Sequence, residues 1–411
     1  MQVNSSKTAG SISTAHDVKA SRNFGLDLLR SIAIIMVLAN HYFLGLHVGS
    51  GRIAWQGTAA GISAVSVLAI EWLFVLSGFL IGTMMIRSFE SGATWWGRAR
   101  DFWLRRWFRT MPNYYLFVLV NAILSATGIG VGLFSYEFIL FSQNLAWPEQ
   151  QPLFFGEAWS LALDEWFYFL MPLLVGLASR VLNVKPRTAF LLVAMVLIIF
   201  PAVARFFMVP PESFLQWDAS VRRVTVFHLD ATGWGVLSAI ASRWAPHYWL
   251  VNRRIKAILG VLLTTLGVLM MESLLFDGWS GALLPRVSNV ATLTLPAAGA
   301  FLLLPWLAGL PPFHKAISWV IDRISLYSYS LYLCHIPVIH VVQACFAVDA
   351  NTSLPVLLIA SATWLVGTFT LSVLVFRYFE NPTSKLRERY TRKVSASPFE
   401  SSSPVQTPMA K

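Results

Sequence analysis

The chain has 411 residues, of which 56% are hydrophobic, 14% aromatic and only 12% charged. Soluble domains carry about a quarter charged residues, so this composition excludes an ordinary soluble protein and indicates an all-α polytopic membrane protein. The net charge of +11 would suit nucleic acid only if the basic residues shared one water-facing surface, and they do not.

Ten apolar stretches are long enough, at roughly 20 residues each, to cross a bilayer as helices. They are 28–48, 61–86, 112–134, 159–179, 188–208, 224–242, 255–274, 290–308, 324–346 and 354–378. With a cytoplasmic N-terminus, only Arg52, Arg205, Arg222, Arg223 and Arg286 of the 31 Lys and Arg residues fall on the outer side. Cytoplasmic loops collect positive charge, so both termini are predicted inside. Residues 1–23 are polar and Ser/Ala-rich, lack the apolar core of a cleavable signal peptide, and are expected to be disordered, as is most of 383–411. The spans and their connections, 24–382, would then form one transmembrane domain. Cys334 and Cys345 fall on one predicted helix about 16 Å apart, too far for a disulfide, and no metal-ligand spacing accompanies them.

The first span holds Arg30 and His41 in "LDLLRSIAIIMVLANHYF". Eleven residues at about 100° each come to roughly 20° past three turns, so the two share one face about 16 Å apart. Arg30 alone could be a snorkelling topology anchor. His41 is costly at that depth unless it lines a cavity or bonds a neighbouring helix. Glu71 in the second span, "AIEWLFVLSGFLIG", falls at a similar depth and is the expected partner that would orient the imidazole. A purely structural buried pair would satisfy both charges equally.

The segment 95–111, "WWGRARDFWLRRWFRTM", interleaves tryptophan with arginine and should lie along the cytoplasmic interface. Arg106 and Arg109 share a helical face there, and guanidinium pairs bind phosphate; anionic lipid headgroups are the other candidate ligand. No Gly-rich loop suggests ATP. In the fourth span Asp164 and Tyr168 share a face and Glu165 follows, suggesting a polar pocket opening outward. His228 and Asp230 fall near the outer end of the sixth span. In the ninth, "SLYSYSLYLCHIPVIH" puts Tyr332 and His335 on one face, with His335 at nearly the depth of His41.

In order along the chain, "LDLLRSIAIIMVLANH", "FVLSGFLIG", "RRWFRTMPNYY", "WSLALDEWFY", "LDATGWG", "SYSLYLCHIPV" and "FRYFENP" resemble the acyltransferase-3 family of integral-membrane acyltransferases. The resemblance implies a ten-helix domain of the bacterial cytoplasmic membrane. It would take an acyl group, foremost acetyl, from cytoplasmic acyl-CoA as a donor substrate and hold no permanent cofactor. The acceptor would be a hydroxyl of an exported glycan or, in some members, of a small molecule. By motif, His41 is the essential residue, Glu71 its catalytic companion, and Arg30, Arg106 and Arg109 handle the donor. Asp164, Glu165, Tyr168, Asp230, Tyr332 and His335 would line the acceptor side. Asp164 stands where a glutamate is usual and His228 where an arginine is usual, which puts a fixed cation at 228 in doubt. Some relatives append a soluble esterase-like domain, for which the tail after the last span is too short. Two other readings stand beside this one: an acyltransferase acting on a small molecule or lipid, and a proton-coupled transporter or flippase, although no inverted repeat is detectable.

Overall fold

A computed structural model describes residues 23–53, 60–90, 95–276 and 284–390. Among them there are helices and turns but no strands, as the composition requires of a chain whose backbone must satisfy itself in an apolar medium. The long helices are α1 (Phe24–Phe43, prolonged by a π-helical turn to Val48), α2 (Ala60–Glu90), α3 (Trp95–Ala126), α4 (Ala158–Val181) and α5 (Pro186–Phe207). A four-residue α6 (Phe214–Trp217) precedes α7 (Asp230–Trp244), and a five-residue α8 (Pro246–Leu250) follows it. Then come α9 (Arg253–Phe276), α10 (Leu284–Leu307), α11 (Lys315–Phe346), α12 (Leu354–Val375) and a short α13 (Asn381–Leu386).

The fold is all-α and polytopic, and eight helices among the described residues are long and apolar enough to cross a membrane. Two of the ten predicted spans do not qualify by that measure. The sixth begins late: α7 has 15 residues, about 22 Å of helix, preceded by the loop 218–229. The third ends early and starts much earlier. The arginine-rich segment 95–111 is not a separate interfacial element but the first half of α3, which runs through Pro112 and stops at Ala126. Gly128 and Gly132, both with positive φ, turn the chain where the span was expected to continue to 134. Residues 383–390, expected within a mostly disordered tail, are helical up to Arg389. The rest of the predicted disordered ends, 1–22 and 391–411, lies outside the described residues.

Successive packing runs α12, α11, α1, α2, α7 and α5, with α9 and α10 against α7 and α2. On the other side α3 packs on α11 and α4, and α4 on α2. The helices α1, α2, α3, α4 and α11 therefore close a ring. The end where α1 begins is the basic end; its opposite carries the loops 127–157 and 208–229. Asn144, fully buried, ties those loops together. Its side-chain amide donates to Trp159 O at 3.1 Å and Arg223 O at 2.6 Å, and its backbone carbonyl accepts from Thr225 N at 2.8 Å.

At the α2–α7 crossing, beside the ring, the two helices approach closely because glycines face each other. A Cβ on Gly78 would lie 2.1 Å from Thr232 O, and one on Gly235 would lie 2.2 Å from Val75 O. Either backbone must move apart to admit a methyl group, at a cost of about 1–3 kcal/mol. Gly78→Ala and Gly235→Ala should each lower the thermal midpoint in detergent; an unchanged midpoint would contradict this crossing.

Candidate active site

The first span's polar stripe is anchored at its start. Asn23 caps α1 by accepting from Leu26 N at 3.1 Å, and Asp27 and Ser325 hold Arg30 through its Nη1, at 3.2 and 3.0 Å. The Ser325 hydroxyl donates to Asp27 at 2.5 Å. Arg30 is thus held toward the ring's interior, where it lines a cavity of about 200 Å³ between α1, α2, α3, α4 and α11.

That cavity gathers seven of the residues singled out from sequence: Arg30, Arg106, Arg109, Asp164, Glu165, Tyr168 and Tyr332. Helical spacing explains the α4 contribution, since Ser160, Asp164, Glu165 and Tyr168 form one stripe. Ser77 of α2 donates to Asp164 at 2.9 Å and its oxygen lies 3.0 Å from the Tyr168 hydroxyl. Thr110 of α3 donates to Glu165 at 2.5 Å. The Arg106 guanidinium lies over the Tyr168 ring, 5.2 Å from its centroid. Arg106 Nε and the second oxygen of Glu165 have no hydrogen-bond partner among the described residues. A buried polar atom left this way is costly unless something else meets it. Thr110 and Ser160 went unnoticed in the sequence because a lone hydroxyl in an apolar helix gives no pattern, and Ser77 reads there only as a small residue suited to close helix packing.

Behind Tyr332 lies a histidine pair. The Tyr332 ring is 5.7 Å from that of His335, and His335 Nε2 is 3.0 Å from His41 Nδ1. His335 Nδ1 lies 3.2 Å from Leu331 O. A carbonyl only accepts, so His335 Nδ1 carries the proton and donates to it. In the neutral ring Nε2 then bears a lone pair and accepts from His41 Nδ1–H. Neutral His41, in turn, has its own lone pair on Nε2. The geometry assigns both tautomers and leaves His41 Nε2 as a base.

The expected His41–Glu71 pair does not form. Glu71 and His228, both fully buried, bond each other at 2.5 Å, and His228 Nδ1 donates to Arg222 O, also at 2.5 Å. Glu71 is thereby committed to the α2–α7 side of the bundle. Equal depth along the bundle did not mean the same direction around the helix. Asp230 is likewise outside the cavity. Its two oxygens take Arg205 at 3.0 and 2.6 Å, and the second also accepts from Thr294 at 3.1 Å, inside a fully buried ion pair. Arg205 supplies from α5 the fixed cation that His228 cannot.

At the far end Asp218 is bridged by Arg222 and by Arg223, the latter at 2.6 Å. The Arg222 guanidinium stacks over Trp159, 4.5 Å from the ring centroid, and Trp159 stacks in turn on His228. Burial would raise the Asp218 carboxyl, but the two arginines hold it down at about 2. Asp218, Arg222 and Arg223 are charged groups that bear on His41 from this side. Beside them Glu149 and Glu157 are buried, and neither carboxylate has a hydrogen-bond partner among the described residues. Sequence reasoning missed this cluster. The signal available was two acidic residues flanking the aromatic run in "EQQPLFFGEAW".

Among known protein families, the acyltransferase-3 family, an acyltransferase domain, matches residues 23–377. The chain belongs to this family. It is similar to the peptidoglycan O-acetyltransferase OatA of Listeria monocytogenes, with 26% identity over 88% of this chain and 55% of the relative. It also resembles YrhL of Bacillus subtilis, a candidate peptidoglycan O-acetyltransferase, at 25% identity over 42% of this chain and 27% of the relative. Candidate O-acetyltransferases of Staphylococcus aureus match 40% of the chain, at 24% identity and 26% of their own length. The chain therefore spans about half the length of OatA and about a quarter of the others in these matches.

Burial raises the Glu149 carboxyl from 4.5 to about 8, with Arg223 opposing. Between those values the folded protein holds a proton that the unfolded chain has released, so stability should fall as pH rises through the window. Glu149→Gln removes that dependence. Its thermal midpoint should match wild type below pH 5 and exceed it at pH 8; parallel curves would refute the assignment.

Proposed function

We propose that the protein is a multi-pass membrane O-acyltransferase of the bacterial cytoplasmic membrane. It moves an acyl group, most simply acetyl, from acyl-CoA to a hydroxyl of a glycan or another exported acceptor. The observation that carries this is the histidine pair: a lone pair fixed on His41 Nε2, behind a cavity lined by three arginines and two carboxylates. Family membership favours an enzyme over a transporter, and the peptidoglycan O-acetyltransferase names of its relatives favour a glycan acceptor. The charge distribution favours a cytoplasmic basic end and cytoplasmic termini.

In this mechanism the donor's phosphates meet Arg106 and Arg109, with Arg30 at the start of the stripe that leads to His41. The acceptor hydroxyl gives its proton to His41 Nε2 as its oxygen attacks the thioester carbonyl. The tetrahedral intermediate expels the thiolate, and the imidazolium returns the proton to sulfur. His335, still bonded to His41 Nδ1–H, keeps the imidazole oriented through both steps and stabilises its positive charge. Asp164, Glu165, Tyr168 and Tyr332 supply hydrogen bonds on the cavity side. Glu71 has a structural part here, at the α2–α7 crossing, rather than a place beside the base.

Acetyl-CoA turnover by purified protein, with muropeptides and a panel of other hydroxyl acceptors, tests the function. His41→Ala should lower turnover by about 10²–10⁴-fold at unchanged protein abundance. Normal turnover in that variant would sink the mechanism. His335→Gln, whose amide oxygen can accept from Nδ1–H, should keep more activity than His335→Leu by at least about tenfold; equal loss in both would remove the orienting role.

A further inference from the structure

The segment after the last long helix turns back toward the donor end of the cavity. From Phe376 the chain passes through a π-helical turn into α13 and a 3-10 turn at Arg387–Arg389, and both of the latter pack on α3. The rings of Phe108 and Tyr390 stack face to face, with centroids 5.5 Å apart and planes within 6°. This contact fixes the segment against the half of α3 that carries the arginines.

One result is a gathering of like charge. Arg387, half-buried, lies within electrostatic reach of Arg109 and Arg105 and of the acidic Glu388. Burial and then Arg109 and Arg105 push the Arg387 guanidinium below its ordinary value, with Glu388 opposing. Arg109 is exposed and also lines the cavity, so through it the cluster borders the pocket. Three guanidinium groups drawn together by packing repel one another, and an anion with more than one negative charge relieves that repulsion. Planar guanidinium forks match phosphate oxygens two at a time.

The acyl-CoA reading fixes which end of the ligand belongs here. If the thioester is to reach His41, about 16 Å along α1 from Arg30, the phosphates remain at the basic end. We propose that Arg387, with Arg105 and Arg109, forms a phosphate subsite for the nucleotide end of a coenzyme A thioester. The short segment after the last span is thus part of the donor site. The subsite rests on the donor reading above and adds residues to it. The same chemistry would also suit an anionic lipid headgroup, so the test separates the two.

Coenzyme A and 3′-dephospho-coenzyme A are titrated by calorimetry into the full chain in nanodiscs of phosphatidylcholine alone, and again with phosphatidylglycerol added. Wild type should bind coenzyme A more tightly than the dephospho form. Arg387→Gln should weaken coenzyme A binding by about 10–100-fold, the range of a lost charged hydrogen bond, and shrink the preference for the 3′-phosphate. Pantetheine, which lacks the nucleotide, should bind both proteins alike. Equal coenzyme A affinity in wild type and variant would overturn the subsite while leaving the donor reading intact. So would a defect that extends to pantetheine, or one that appears only with phosphatidylglycerol, which would mark a lipid site. Wild-type protein that bound no coenzyme A would overturn the donor reading and the subsite with it.

Discussion

An ionisable side chain taken into an apolar bundle must be met by protein, because neither lipid tails nor packed aliphatic groups can satisfy it. This constraint organises the whole interior. Arg205 and Asp230 form an ion pair between α5 and α7, Glu71 and His228 hydrogen-bond between α2 and the start of α7, and Asp27 and Arg30 pair at the start of α1. The first two pairs also fix where two segments meet, and the third does so through Ser325 of α11. Arg106, Glu165, Glu149 and Glu157 keep polar atoms without a partner among the described residues, the first two at the cavity and the last two beneath the far-end loops. Paired charges build the frame, and within it Glu71 Oε2 and Arg205 Nε also lack a hydrogen-bond partner among the described residues.

The histidine pair belongs to neither group. Its hydrogen bonds run in one direction, from His41 through His335 to a backbone carbonyl, and the chain ends there. A carbonyl cannot donate, so the direction is fixed and the free lone pair falls at the other end, on His41 Nε2. A carboxylate in the place of His335 would have raised the basicity of His41 further. A neutral imidazole orients the ring while leaving it uncharged before reaction, which suits a base in a water-poor interior.

Much of the candidate site was legible in the sequence because helices convert spacing into direction. The Arg30–His41 stripe, the Asp164–Tyr168 face and the Tyr332–His335 face all follow from 3.6 residues per turn, and the ring of helices brings these faces together. The similar depth of His41 and His335 was legible too, and their contact bears it out. What spacing within one helix cannot give is rotation relative to the next. Glu71 is therefore the partner the sequence suggests for His41, and only packing shows that α11 rather than α2 supplies it. Boundaries failed where local chemistry overrode hydropathy: the glycines after Ala126 stopped α3 inside an apolar run, and the arginines before Pro112 joined the span instead of lying apart. The arginines at 387 and 105 are far apart in sequence and could not be associated before α13 was seen to fold back.

The account depends most on where the proton resides in the His41 ring. The direct measurement is the ¹⁵N spectrum of histidine-labelled protein in detergent at neutral pH, with the His41 signals assigned by their loss in His41→Ala. A neutral His41 protonated on Nδ1, with Nε2 bare, is the predicted result. Protonation on Nε2 would contradict it, since the hydrogen bond to His335 would then run the other way and no lone pair would be free to take the acceptor's proton.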